Sequence, residues 1–248
     1  MSQHRKDDLQ LIEAIKETHQ GLKRTYGAPR LHKELRRNDH CCSVRRVNRL
    51  MREMGIKAST VGLYCWRPGR QELYSSAGNQ LAEAGEAQAP GEQWAGDFTY
   101  VRTRSGWLYH AIVMDLYSRK IIGWSFNRTR NAELTKSALK MALNRQRPKA
   151  GCVFHSDQGI EYAAHDYRDT LEQAGLTRSM SRKGTPLDNA TVESFFHSMK
   201  TEVIHGKPIE DHTEGVARIT EYTHFYNHER LHSSLGYQSP ENYEKLCA

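Results

Sequence analysis

Gln93-Trp94-Ala95-Gly96-Asp97-Phe98-Thr99-Tyr100-Val101-Arg102 is the stretch that decides the fold. Trp94–Arg102 is rich in aromatic and β-branched residues and reads as a strand. Asp97 sits in its middle, where a charge is costly unless it is paired or binds a metal. Trp107–Asp115 and Lys120–Phe126 have the same texture and are separated by short polar turns, which predicts three consecutive antiparallel strands. Asn131–Arg147 is predicted helical, with Leu134, Ala138, Met141 and Ala142 on one side and Pro148 as its stop. Cys152–His155 reads as a short buried strand. Tyr167–Ala174 reads as a helix stopped by Gly175, and Leu176–Met180 as one more strand. Ser181–Leu187 is a basic loop. Asp188–Ile204 reads as a helix carrying Val192, Phe196, Met199 and Val203, and a last helix is expected from about His212 to Leu231. The order βββ-α-β-α-β-α with a helical tail is that of an α/β fold.

The residues before this region have another character. The chain has 248 residues, with 36 Lys and Arg against 29 Asp and Glu, a net charge of +7. Residues 1–60 hold 14 of the basic and 7 of the acidic residues, so the whole excess lies in the first quarter. A local basic block is the electrostatic footprint of a nucleic-acid-binding module, although a solvated basic face has the same composition. Leu11, Ile15 and Leu22 recur at helical spacing. Tyr26-Gly27-Ala28-Pro29 breaks that pattern, and Pro29 suits the first turn of a second helix carrying Leu31 and Leu35. Ser43 is placed to cap a third helix whose apolar side is Val44, Val47, Leu50, Met51 and Met54, with Gly55 as its stop. The other side of that helix shows Arg45, Arg46, Asn48, Arg49 and Arg52, side chains suited to phosphates and base edges. A turn followed by an Arg-rich helix matches the helix-turn-helix plan, as does an ordinary three-helix unit with a polar surface. Residues 67–93, punctuated by Pro68, Gly69, Gly78, Gly85, Pro90 and Gly91, read as a linker.

Several classes are excluded. No apolar run approaches the roughly 18 residues of a membrane helix. The polar start Met1–Asp8 is not a secretory signal. Five cysteines with no C-x-x-C pair argue against a disulfide scaffold or a Cys-rich zinc module and fit a reducing cytoplasm.

Three acids stand at informative places. Asp97 is inside the first strand. Asp157 directly follows the fourth strand in His155-Ser156-Asp157-Gln158-Gly159, and strand C-terminal ends are where α/β sheets hold their chemistry. Glu193 lies beside the apolar row of the late helix, with 35 residues between it and Asp157. Each alone reads as a cap, a turn residue or a surface acid, but all three are aimed at the same sheet from different elements.

With these residues the sequence resembles the integrase-core, or DDE, transposases of the RNase H-like superfamily. More narrowly, it resembles the second-frame (OrfB) product of bacterial insertion sequences with two overlapping reading frames. The resemblance runs through Tyr26-Gly27-Ala28-Pro29-Arg30-Leu31, Trp94-x-x-Asp97-x-Thr99-Tyr100 and His155-Ser156-Asp157-x-Gly159-x-x-Tyr162. It continues in Ser181-Arg182-Lys183-Gly184 and Asp188-Asn189-Ala190-x-x-Glu193-Ser194-Phe195. It ends in Tyr226-Asn227-x-x-Arg230-x-His232-x-x-Leu235-Gly236-Tyr237-x-Ser239-Pro240. Thr185-Pro186-Leu187 and Met199 depart from it without touching the three acids.

The resemblance implies an RNase H-like (retroviral integrase) catalytic core with an N-terminal all-α helix-turn-helix domain. The expected division is a DNA-binding domain at 1–62, a linker at 63–91, the catalytic core at 92–206 and a C-terminal helical tail at 207–248. It implies that Asp97, Asp157 and Glu193 are the catalytic triad and the ligands of Mg²⁺, with Mn²⁺ as a substitute. Magnesium takes oxygen ligands and uses few carboxylates. Two such ions, about 3.5–4 Å apart, serve phosphodiester hydrolysis. The implied reaction is hydrolysis at transposon ends that frees a 3′-OH, then attack of that 3′-OH on another DNA phosphodiester. The implied partners are the terminal inverted repeats, target DNA, further copies of the chain on DNA and the upstream-frame product of the same element, at the bacterial nucleoid and with no membrane. A metal-dependent nuclease with the same triad, or a non-catalytic DNA-binding regulator, are the alternatives.

Lys200 lies two helical turns after Glu193 and shares its face, where it would contact phosphate. Arg182 and Lys183 in the preceding loop would also meet DNA. His224, His228 and His232 recur every four residues, but a structural zinc site needs four ligands, and polar and DNA-facing roles are favoured. Asp115 reads as a turn acid or ion-pair partner and Asp188 as a helix cap. His155 and Asn189 flank triad members and would shape the site by hydrogen bonds. Phe195 and Phe196 are expected in the core.

Overall fold

The computed structural model describes residues 3–59, 81, 84–157, 159–180 and 189–247. The chain divides into two compact units, Met1–Trp66 and Arg67–Ala248. Most of the expected linker lies outside the described residues, as does the basic loop with Arg182, Lys183 and Asp188.

Among its described residues the first unit has three helices, α1 (Gln3–Gly21), α2 (Ala28–Arg37) and α3 (Val44–Glu53). Pro29 stands in the first turn of α2. The Ser43 hydroxyl accepts from the Arg46 amide at 3.2 Å and caps α3. Gly55, at φ +68°, ends it: the Gly55 and Ile56 amides donate back to Arg52 and Met51 at 3.1 and 2.8 Å. Leu11, Ile15, Tyr26, Leu31, Leu35, Val47 and Leu50 close the core. Val44, expected on the apolar side, is instead 40% exposed. It is the first residue of α3, and the buried row begins one turn later at Val47.

The second unit is built on one five-stranded sheet. Its strands are β1 (Gln93–Thr103), β2 (Gly106–Asp115), β3 (Ile121–Asn127), β4 (Val153–Ser156) and β5 (Thr177–Met180). Their order is β3-β2-β1-β4-β5, antiparallel through β3, β2 and β1 and parallel through β1, β4 and β5. Side chains alternate across a strand, so each strand feeds two cores. On one face α4 (Ala132–Arg145) and α6 (His165–Gln173), with the short α5 (Ile160–Ala163) before it, cover Trp94, Ala111, Val113 and Phe154. On the other face α7 (Ala190–Met199) and α8 (His212–His228) cover Ala95, Ile112 and Met114, with Phe195, Phe196 and Met199 in that core. Gly123 allows α4 its close approach, because a Cβ there would collide with the Ala138 carbonyl oxygen.

The late helix departs from the continuous one expected. Ideal α-helix stops at Met199 and a π-helical turn follows over Lys200–Ile204. Glu202 in that turn is buried against the Arg230 guanidinium at 2.7 Å, which also reaches the Ser198 hydroxyl at 3.4 Å. The tail helix α8 stops at His228 rather than Leu231, which places Arg230 on Glu202. A further helix that the sequence reading did not include, α9 (Pro240–Cys247), follows a one-turn Ser233–Leu235 helix. The Ser239 hydroxyl accepts from Asn242 N at 3.4 Å at its start.

The tail is tied to the sheet at two more points. The Asn227 side chain accepts from Ile121 N at 2.9 Å and donates to Ile121 O at 2.8 Å. Lys120 bridges Glu241 and Glu244 of α9 at 2.6 and 2.7 Å. Asp115, fully buried, accepts from Gly91 N (2.7 Å), Gln146 Nε2 (2.8 Å), Tyr117 N (3.0 Å) and Ser118 N (3.3 Å). It is a turn acid that pins the chain entering β1. Among the described residues no helix is long and apolar enough to cross a membrane.

Two expectations follow from this packing. Gly123→Ala will overpack the β3–α4 contact and cost about 1–3 kcal/mol, read as a lower melting temperature. His110 is fully buried, stacked on Phe126 at 4.5 Å, and burial pushes its imidazole down to about 4. The fold therefore holds it neutral, while the unfolded chain takes up a proton below about pH 6.5. Stability will fall by up to about 3 kcal/mol between pH 6.5 and 4 from this residue alone. Denaturant unfolding across that range will show a shallower pH slope for His110→Gln.

Candidate active site

The site begins with strand register. β1 and β4 run parallel, and their last paired residues are Gly96 and Ser156. Asp97 follows Gly96 within β1 and Asp157 follows the last residue of β4, and neighbouring strands lie about 4.8 Å apart. Gly96 keeps this approach open, because a Cβ there would stand 2.7 Å from the Phe154 ring. The Asp97 carboxylate accepts from Phe98 N at 2.7 Å, and that of Asp157 accepts from Gly159 N at 3.0 Å. Each acid is thus oriented by an adjacent main-chain amide. Both act on one group: burial first, then the charge of Asp97 and also that of Asp157, push the buried Tyr162 phenol well above its usual range.

Lys200 faces the same place. Burial lowers its ammonium pKa and the negative charge of Asp97 opposes the shift, while its Nζ lies 5.3 Å from the centre of the Tyr100 ring. Glu193 is one turn into α7 on its exposed side. Partial loss of water around it raises its carboxyl pKa. The register thus sets Asp97 beside Asp157, and Lys200 lies in the field of Asp97. Among the described residues no three His, Cys, Asp or Glu side chains converge closely enough to hold a metal ion.

A fourth acid at this edge was not singled out in the sequence. Glu161, in α5, is buried and takes two hydrogen bonds from Arg130, which also stacks over Phe98 at 4.8 Å. Its carboxylate is also within reach of Gly159, where a Cβ would meet Asp157 at 2.9 Å and Glu161 at 3.1 Å. The signal was present as a glutamate four residues after Asp157, but its arginine lies 31 residues upstream and nothing in the spacing joins them. Behind the site, His155 shares a hydrogen bond with the Ser179 hydroxyl at 3.0 Å, and that hydroxyl accepts from Leu81 N at 3.0 Å. Asn189 holds the N-cap position of α7 without a cap bond, the place expected for Asp188.

In the first unit, Arg46 and Arg49 both reach Asp8 of α1 at 2.7 Å and hold its carboxyl below the usual range. Arg45, Asn48 and Arg52 stand exposed. Among the histidines, His224 and His228 stack at 4.2 Å, while His232 lies beyond α8 and packs on Tyr226 at 4.5 Å.

Comparison with known proteins agrees with this architecture. Residues 87–186 and 174–240 match two integrase core domain families, and residues 6–62 match an HTH-like domain. The chain is 37% identical over 236 residues to the transposase for insertion sequence element IS904 of Lactococcus lactis, covering 95% of this chain and 93% of that one. It is 40% identical over 225 residues to transposase InsF for insertion sequence IS3A of Escherichia coli, covering 90% and 77%. The chain belongs to the IS3-family transposases. Among solved structures, the transposase resembles the HTLV-2 integrase catalytic core domain in complex with magnesium. That likeness has a TM-score of 0.51 at 12% identity, over 64% of this chain and 99% of that one. It also resembles a chain of the simian T-cell lymphotropic virus intasome, with a TM-score of 0.56 at 12% identity, over 93% and 74%. At that identity these likenesses concern the fold: a retroviral integrase-like α/β core with an N-terminal helical domain.

Removing the Arg130 guanidinium leaves the Glu161 carboxylate buried without its cation. Arg130→Met will destabilise the transposase by about 1–3 kcal/mol. Glu161→Gln in the same chain will recover part of that loss, as a double-mutant cycle in denaturant will show.

Proposed function

We propose that this transposase cleaves the ends of its DNA element by metal-dependent hydrolysis and joins the freed 3′-OH to another DNA phosphodiester. One observation supports the reading: the last pair of the parallel β1–β4 register, Gly96 and Ser156, directly precedes Asp97 and Asp157. Their donor set fits a hard divalent cation, because both offer carboxylate oxygens, Asp97 from within β1 and Asp157 from just beyond β4. Asp97, Asp157 and Glu193 would hold Mg²⁺, or Mn²⁺ in its place. Glu193 would complete the set once the first turn of α7 approaches the strand ends. Ions of this class, when bound, activate an oxygen nucleophile and offset charge at the phosphorus.

The chain's own residues do the rest. Lys200, beside Asp97, contacts a non-bridging oxygen of the scissile phosphate. Tyr162 stays protonated next to the two carboxylates and keeps water out beneath them. In the joining step the 3′ oxygen forms a new bond to phosphorus as the target's own ester oxygen leaves, so one P–O bond replaces another. Arg182 and Lys183 flank the DNA path. In the first unit, Arg45, Asn48 and Arg52 make the direct contacts of a helix-turn-helix domain at 1–62, and Arg46 and Arg49, anchored on Asp8, add positive potential. The linker at 63–91, the core at 92–206 and the tail at 207–248 complete the division. We further infer that the transposase works as an oligomer holding two element ends at the bacterial nucleoid, with target DNA and with the upstream-frame product as a partner.

Asp157→Asn will abolish Mg²⁺-dependent cleavage of the element's ends and leave end binding within about twofold, since binding depends on phosphate contacts elsewhere. Incubating a labelled end with a target plasmid will yield joined products for the unaltered chain. Cleavage that survives in Asp157→Asn refutes the assignment, and cleavage without joined products makes the protein a nuclease.

A further inference from the structure

We propose that the outer half of the β1–β2 hairpin is a stacking platform for unpaired DNA bases, formed by Tyr100, Trp107 and Arg102. It would take up the strand end that leads into the carboxylate edge, and so it rests on the function proposed above. Tyr100 and Trp107 are 49% and 41% exposed, and their rings meet edge to face at 5.2 Å. In the β1–β2 register Tyr100 opposes Tyr109 and Arg102 opposes Trp107. Opposed residues share a face, so these four side chains form one patch. The Arg102 guanidinium lies 5.1 Å over the Trp107 ring. Asp97 faces the other side of β1, and Lys200, 5.3 Å from the Tyr100 ring centre and in the field of Asp97, links the patch to the site.

Folding does not require this arrangement. The same face of β1 and β2 is buried under helices further along the sheet, at Trp94 and Val113. Beyond that cover, two large rings in water cost free energy without adding to a core. The hairpin is also held still. His212 is hydrogen-bonded to the Trp107 carbonyl at 3.1 Å and to the Ser105 hydroxyl at 3.0 Å. Arg104 N donates to Ile209 O at 2.9 Å, and the Thr103 hydroxyl donates to Gly106 O at 2.8 Å. A platform already in place loses little entropy when something stacks on it.

The chemistry of the patch selects the occupant. Exposed aromatic faces combined with cations suit a chain that alternates flat bases and phosphates. Within a duplex the base faces are covered by neighbouring pairs, so only unpaired bases present a face to Tyr100 or Trp107. Glu210, an acid near the outer end of the hairpin, is paired with Arg104 at 3.1 Å.

The test uses the full chain and two probes of equal length: a thymidine single strand carrying 2-aminopurine, and a blunt duplex. Trp107→Ala and Tyr100→Ala will each weaken single-strand binding by about 5- to 150-fold, the range for loss of one stacked base. The change in 2-aminopurine fluorescence on binding will be lost with it, while duplex affinity stays within about twofold. Trp107→Phe will retain most of the single-strand affinity, which separates loss of a ring from loss of the fold. The proposal is overturned if Trp107→Ala binds the single strand as the unaltered chain does, or if single-strand and duplex affinity fall together. Were Asp157→Asn to keep cleaving while Trp107→Ala lost single-strand binding, the catalytic assignment would fall and the platform would stand.

Discussion

The pairing of β1 with β4 is the constraint on which this molecule depends. β1 is antiparallel to β2 on one side and parallel to β4 on the other, and both ladders must hold at once. A slip of one residue would turn every side chain of β1 to the opposite face. Trp94 would leave one core and Ala95 the other, so the two cores together lock the register. Asp97 and Asp157 emerge side by side because the cores leave no alternative. The repulsion between two neighbouring carboxylates is thus opposed by packing energy spread over the whole sheet.

The remaining elements serve that sheet. The tail is joined to it by groups costly to leave unpaired. Arg230 and Glu202 are almost wholly buried, and either one alone would be a desolvated charge. Asn227 satisfies both polar groups of Ile121 as a neighbouring strand would. Lys120 ties α9 to the start of β3. The Glu202 pairing also coincides with the π-helical turn after α7, so the helix that carries Glu193 is anchored at its C-terminal end, through the tail.

Much of this was legible in order along the chain. The strand pattern around Asp97, the helix with Pro148 beyond it and the Ser43 cap each rest on neighbours a few residues apart, and local rules read them. Asp115 reads as a turn acid or ion-pair partner, and it accepts from the amides of the polar turn that follows it, a local arrangement too. The α9 helix was missed although Ser239 before Pro240 is a helix-start signal. Arg230 with Glu202 and Arg130 with Glu161 were not legible, since each pair joins residues 28 and 31 positions apart. The third carboxylate is the instructive case. The resemblance singles out Glu193, which stands on the exposed side of α7, where partial loss of water raises its carboxyl pKa.

The sequence by itself determined the element order, the basic helical unit at the start, the α/β core and the identity of three acids worth attention, because periodicity and capping are properties of near neighbours. Only the tertiary structure decided that Asp97 stands next to Asp157, that Lys200 leans toward Asp97, that Arg46 and Arg49 are engaged by Asp8, and that Tyr100 and Trp107 remain uncovered. Those facts depend on which surfaces are excluded from water once distant segments meet, and no local pattern carries that information.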